Sequence, residues 1–143
     1  METSYLKVTG FKTKVMDKIN YIDCEAAVVP VRDAMEVLSG KWKFPILISV
    51  SSGNKRFREI LRSIPKITSK VLAKELRDLE ANLLIQRTVY PKSPVIVEYS
   101  ATDYSSSLAE VIDALQKWGR NHRKEIIKKM KESTKKRTEG KAV

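Results

Sequence analysis

The sequence predicts a mostly helical α+β fold: a series of helices, a two-stranded hairpin, then one long terminal helix. Three features predict it. Apolar residues recur every three or four positions between Pro30 and Ala81. The helical period is lost after Asn82, where the strand-like runs Ile85–Tyr90 and Val95–Tyr99 flank the turn Pro91-Lys92-Ser93-Pro94. After Thr102 the helical period returns and continues to Ile126.

In chain order, Tyr5–Thr9 alternates apolar and polar residues and reads as a short strand ended by Gly10. The first helix is expected over Pro30–Leu38. Proline suits a first helical turn, and Val31, Ala34, Met35 and Leu38 step i, i+3, i+4, i+7. Gly40 is a natural stop. Phe44–Val50 leaves almost no polar face, so a second helix there belongs in the centre of a core, with Pro45 near its start. A third helix fits Phe57–Ile64, on Phe57, Ile60, Leu61 and Ile64, and Pro65 closes it. A fourth runs over Ser69–Ala81 with Thr68 or Ser69 as its cap. The strands Ile85–Tyr90 and Val95–Tyr99 form the hairpin, and its two prolines discourage strand addition at the tip. Thr102 is placed to cap the last helix. Its stripe of Leu108, Val111, Ile112, Leu115, Trp118, Gly119, His122 and Ile126 is too long to pack wholly on a domain of this size.

The 143 residues suffice for one domain with one core, and 42% of them are apolar. The apolar stretch Phe44–Val50, broken only by Ser49, is far short of the roughly 20 residues of a membrane span. The opening residues show no basic-then-apolar signal pattern, so a cytoplasmic protein is expected. A single cysteine, Cys24, excludes an internal disulfide framework and any multi-cysteine metal site. Cys24 and the one histidine, His122, lie at opposite ends, and no phosphate-cradling glycine loop is present. No enzyme, cofactor or metal is therefore expected. His122 reads as a packed or interface residue.

The formal charge of +11 makes a polyanion the first partner to test. Residues 123–143 carry nine basic and three acidic residues, and from about Ser133 they read as a solvated, basic, flexible tail. The charge that bears on function lies elsewhere. Three helices followed by a hairpin is the winged helix-turn-helix order, with the 69–81 helix as the reading helix and the 91–94 turn as the wing. On that helix Leu72, Leu76, Leu79 and Leu83 fall within about 60° of one another. Lys70, Lys74 and Arg77 cluster within about 60° on the opposite side. Thr68 and Ser69 sit at its N-terminus, where free N–H groups favour phosphate. Val71 lies off the stripe, free to meet a thymine methyl. Lys92 and Ser93 at the wing tip, with Arg56 and Arg58 before the reading helix, are candidate backbone contacts. Glu75, Asp78 and Glu80 dilute the positive field, which keeps an ordinary solvated helix face in play.

Ser39-Gly40-Lys41-Trp42-Lys43, Arg56-Phe57, Leu76-Arg77-Asp78-Leu79-Glu80, Tyr90-Pro91, Val97-Glu98-Tyr99 and Thr102 stand in an order and spacing that resembles the HxlR-type regulators. These are a branch of the MarR-like winged-helix proteins. The resemblance runs from about Cys24 to Arg123. It implies a homodimeric DNA-binding transcription regulator whose interface involves the N-terminal segment and the last helix. Trp118-Gly119 with His122 resembles the terminal-helix signature. Ser105 stands where the family usually has glycine, and Cys24-Glu25 where it has Cys-Pro. The resemblance also makes Cys24 the candidate redox sensor. Asp23 and Glu25 beside it raise a thiol pKa and favour a packed, unreactive cysteine.

The expected organisation is an arm at 1–24, which the resemblance assigns to the dimer interface, and a winged helix-turn-helix domain at 25–101. A dimerisation helix at 102–132 and the tail at 133–143 follow. The expected function is a dimeric regulator on double-stranded DNA, a repressor reading a palindromic operator, with any effector unidentified and no membrane partner. Two alternatives are a non-specific basic nucleic-acid-binding protein and a winged-helix protein–protein adaptor.

Overall fold

The computed structural model describes residues 24–140. The expected strand at Tyr5–Thr9 and the rest of the arm before Cys24 lie outside the described residues. The chain divides after Ser39 into two compact units.

The first unit contributes α1 (Cys24–Leu38). The helix begins six residues before the expected start, and Pro30 lies inside it. Ala26 and Ala27, strong helix formers, extend the helix upstream although Pro30 forfeits one backbone bond. The face expected to be core is mostly open. Val31, Ala34 and Met35 are exposed, and only Leu38 is buried.

The second unit holds α2 (Lys43–Ser51), α3 (Phe57–Ser63), α4 (Ser69–Ala81), β1 (Ile85–Tyr90), β2 (Ile96–Ala101), a 3-10 turn (Tyr104–Leu108) and α5 (Ala109–Glu139). As its all-apolar sequence requires, α2 is central: it packs against α3, α4 and β2. Ile46, Leu47 and Val50 of α2 are buried with Ile60 of α3 and Leu72, Leu76 and Leu79 of α4. Each fully buried aliphatic side chain contributes about 1.5–3 kcal/mol. Ser49, also buried, bonds the Ser63 hydroxyl at 2.6 Å and accepts from the Asn54 amide at 3.1 Å, so α2 and α3 are joined by polar contacts as well.

The strands pair antiparallel, from Ile85 opposite Ala101 to Tyr90 opposite Ile96. The second strand starts one residue later than expected and ends two later. Tyr99 N–H donates to the Lys55 carbonyl at 2.7 Å, which ties the loop before α3 to the hairpin.

Two expectations fail at α4 and its exit. Leu83 is not on the buried stripe. Asn82 caps α4, and Leu83 turns into the left-handed region with φ of 63°. Leu83 N–H bonds Glu80 O and Leu84 N–H bonds Leu79 O, both at 3.0 Å, the paired bonds of a Schellman ending. The reversal buries Leu84 and leaves Leu83 69% exposed. Thr102 does not cap the long helix directly. Its hydroxyl donates to Leu83 O at 2.6 Å and accepts from Ser105 N–H at 3.2 Å, so it opens the 3-10 turn that precedes α5. Ser105 is not among the residues with positive φ, so nothing at that position requires glycine.

α5 continues through Ser133 to Glu139, into the segment expected as a solvated tail, and its side chains there are exposed. Lysine, glutamate and methionine are good helix formers, and Lys135 pairs with Glu139 one turn on. No described helix is long and apolar enough to cross a membrane.

Candidate nucleic-acid interface

Helix α4 is anchored by one face and presents the other. Leu72, Leu76 and Leu79 are buried while Lys70, Lys74 and Arg77 are exposed. The Thr68 hydroxyl accepts from Val71 N–H at 3.3 Å and caps the helix. That leaves the N–H groups of the exposed Ser69 and Lys70 directed outward, where a phosphate is favoured. Val71 is half-buried. The turn entering α4 carries Lys66 at φ of 67°, while Ile67 is buried.

Two of the three acidic residues of α4 are paired with lysines, while Glu80 is exposed and forms no ion pair among the described residues. Glu75 Oε2 accepts from Lys43 Nζ of α2 at 2.7 Å, with both side chains nearly buried. Its charge is neutralised inside the fold. Asp78 lies 3.2 Å from Lys74 Nζ and 3.9 Å from Lys43 Nζ. Lys70 and Arg77 form no ion pair among the described residues.

At α3, the Glu59 carboxylate accepts from the backbone N–H groups of Arg56 at 3.1 Å and Lys55 at 2.9 Å. These bonds, Arg56 first, hold its pKa below the ordinary carboxylate value, helped by the Arg56 and Arg62 charges. Arg56 and Arg58 are exposed, as are Lys92 and Ser93 at the hairpin tip. A hollow of about 350 Å³ lies between α4 and the hairpin, lined by Ala73, Arg77, Glu80, Arg87 and Tyr99. Arg87 and Tyr99 pair across the strands. Sequence reasoning missed both as site residues. The available signal was strand alternation, which puts Arg87 on the face of the buried Ile85.

On α5, Val111, Leu115, Trp118, Ile126 and Met130 are exposed and Ile112 is half-buried, as is Leu108 at the end of the preceding 3-10 turn. His122 stacks on Trp118 with ring centroids 4.8 Å apart and planes 8° from parallel. A Cβ on Gly119 would meet open space. A cleft of about 470 Å³ lies beside the start of this helix, lined by Ile48, Ser52, Thr102, Ser105, Ile112 and Asp113 among others. Cys24 opens α1, and its side chain lies outside the described residues. No cluster of metal-ligating side chains occurs among the described residues.

A helix–turn–helix on a central apolar helix, followed by a two-stranded wing and a long helix, defines a winged helix-turn-helix regulator. Known proteins agree with that class. The profile of the HxlR-like helix-turn-helix family matches residues 37–127, and the chain belongs to that family of transcriptional regulators. The uncharacterised HTH-type transcriptional regulator YtcD of Bacillus subtilis (strain 168) is 44% identical over 94 residues, covering 66% of this chain and 75% of YtcD. An uncharacterised HTH-type transcriptional regulator of Methanothermobacter thermautotrophicus is 44% identical over 90 residues, 63% of this chain and 69% of that protein. The structure of the redox regulator HypR in its reduced form is similar with a TM-score of 0.64 at 35% identity, covering 69% of this chain and 98% of HypR.

Proposed function

We propose that the protein is a homodimeric repressor that reads a palindromic operator and occludes a promoter. The observation that carries this is the division of α4, with three buried leucines against three exposed cations. In this reading α4 enters the major groove, with Lys70, Lys74 and Arg77 on base edges and phosphates and Val71 near a thymine methyl. The 91–94 wing, with Lys92 and Ser93, follows the backbone or minor groove, and Arg56 and Arg58 hold phosphates. The exposed stripe of α5 is the dimer surface. Gly119 supports this: an open glycine inside a helix costs about 1 kcal/mol, which a close approach by a second backbone would offset. A two-fold dimer sets the reading helices about 34 Å apart, one helical turn of DNA.

The test is a fluorescence-anisotropy titration against the DNA upstream of the protein's own gene. A specific regulator binds one site about 10³-fold or more above a scrambled duplex. Equal affinity for both duplexes overturns the proposal. The likeness to HypR, described as a redox regulator, motivates a separate test of Cys24. Operator affinity that stays equally diamide-sensitive in Cys24→Ser removes the thiol from any switch.

A further inference from the structure

Helix α5 has a second ordered face, opposite its apolar stripe. At 100° per residue, Arg120, Lys124, Lys128, Lys131 and Lys135 fall within an arc of about 80°. Between residues 120 and 135 every position in that arc is a cation. Glu125 and Glu132 lie beyond its edge, toward the flank. All five side chains are exposed. Lys135 is 3.9 Å from Glu139, and the other four form no ion pair among the described residues. The helix is continuous through the whole segment, so the charges form a fixed ridge about 22 Å long at 1.5 Å per residue. The family match ends at residue 127, so three of the five cations lie past it.

The chemistry of the ridge selects its partner. Within its arc it carries no apolar side chain to insert into a bilayer interface, the exposed Ile127 lying just outside one edge, and no aromatic ring on which a single-stranded base would stack. Five evenly spaced cations with a single apolar neighbour, Ile127, match the phosphate backbone of a duplex better than a bilayer, which an amphipathic helix enters with a broad apolar face. The ridge lies on the opposite side of α5 from Leu115, Gly119, His122 and Ile126, so a dimer built on that stripe leaves it uncovered.

We infer that this ridge is a second, sequence-independent DNA surface, which holds duplex backbone outside the contacts made by α4 and the wing. The inference rests on the DNA-binding reading above. It gives the chain a non-specific grip separable from sequence reading.

The test compares the full chain with a variant carrying Arg120→Gln, Lys124→Gln, Lys128→Gln, Lys131→Gln and Lys135→Gln. Glutamine keeps helix propensity, and circular dichroism with gel filtration checks fold and assembly. Affinity is measured against salt for the upstream duplex and for a scrambled duplex. The expected result is a shallower log–log salt slope on both, by about 0.9 for each phosphate that the variant no longer neutralises. The ratio between the two duplexes should hold or rise. Unchanged slopes overturn the inference. So does loss of co-sedimentation with phosphatidylglycerol vesicles in a variant whose DNA slopes are unchanged, which would make the ridge a membrane surface. If the parent protein shows no preference for the upstream duplex, the regulator reading falls, while the slopes on scrambled DNA still decide the ridge.

Discussion

Lys43 Nζ and Glu75 Oε2 lie 2.7 Å apart with their side chains 10% and 12% exposed, which joins the first turn of α2 to the middle of α4. The pair holds the presented face of α4 relative to the central helix. It also removes Glu75 from the field that an approaching phosphate meets. Removing one partner strands a charge in a nearly dry site, whereas replacing both does not. Lys43→Met should destabilise the protein by about 3 kcal/mol in urea unfolding. Lys43→Met with Glu75→Leu should recover most of that loss. A double variant as unstable as the single one would show that packing around Lys43, rather than its charge, sets the cost.

Leu83 stores backbone strain at the exit of α4. Its φ of 63° is costly for a branched side chain, and its exposure means little burial repays the cost. Leu83→Gly should raise stability by about 1 kcal/mol, because glycine adopts that conformation freely. Thermal or urea unfolding measures it. A loss of stability instead would show that Leu83 is covered in the assembled protein.

Those two sites also mark where the sequence was legible. The faces of α4 follow from a 3.6-residue period, and the period holds as far as Leu79. Leu83 continues the same arithmetic, but a Schellman ending breaks the helix one residue earlier and sends Leu84 inward. The Lys43–Glu75 pair spans 32 residues, a separation to which local periodicity is blind. The hairpin was legible from its two strand-like runs and its prolines, yet the meeting of Arg87 and Arg77 at one hollow depends on how β1 lies along α4. Pro30 misplaced the start of α1: proline suits a first turn, yet the helix runs through it and forgoes the bond that its missing N–H would make.

Glu59 ties stability to acid pH. Its carboxylate accepts two backbone N–H bonds at the start of α3, and its folded-state pKa is depressed. A depressed carboxylate contributes stability that is present above the unfolded pKa and is lost as pH falls through the folded value. The difference in stability between the parent and Glu59→Gln should therefore be largest near neutral pH and vanish in acid. Unfolding curves across that range test it. A difference independent of pH would assign the effect to the bonds alone and not to the charge.

In the proposed DNA-binding reading, Asp78 competes with DNA for Lys74. The two side chains are 3.2 Å apart on an exposed face, so a phosphate or base edge must share or displace the carboxylate. Lys74→Ala should weaken operator binding by about 1–3 kcal/mol if Lys74 reads a base. Asp78→Asn should strengthen binding to any duplex and steepen its salt dependence, since one more cation is free. Anisotropy titrations at several salt concentrations separate the two effects. Weaker binding by Asp78→Asn would mean that the carboxylate positions Lys74 rather than sequestering it.

Trp118 is 65% exposed on the single chain and stacked on His122, so a large apolar surface stands uncovered there. Rigid aromatic side chains at the centre of an interface carry much of its binding energy, often about 2 kcal/mol or more each. The neighbouring Leu115 and Ile126 are exposed on the same stripe, and Gly119 between them lets backbones approach closely. Trp118→Glu puts a charge into that surface without touching the buried core of the winged domain. Its helical circular dichroism should match that of the parent. In analytical ultracentrifugation the dimer dissociation constant should rise by about 30-fold or more, the equivalent of about 2 kcal/mol. Operator binding should fall with it, since a monomer presents one reading helix instead of two. A variant that stays dimeric would place the interface elsewhere than on this stripe, and the open face of α1, with Val31 and Met35 exposed, would be the next surface to substitute.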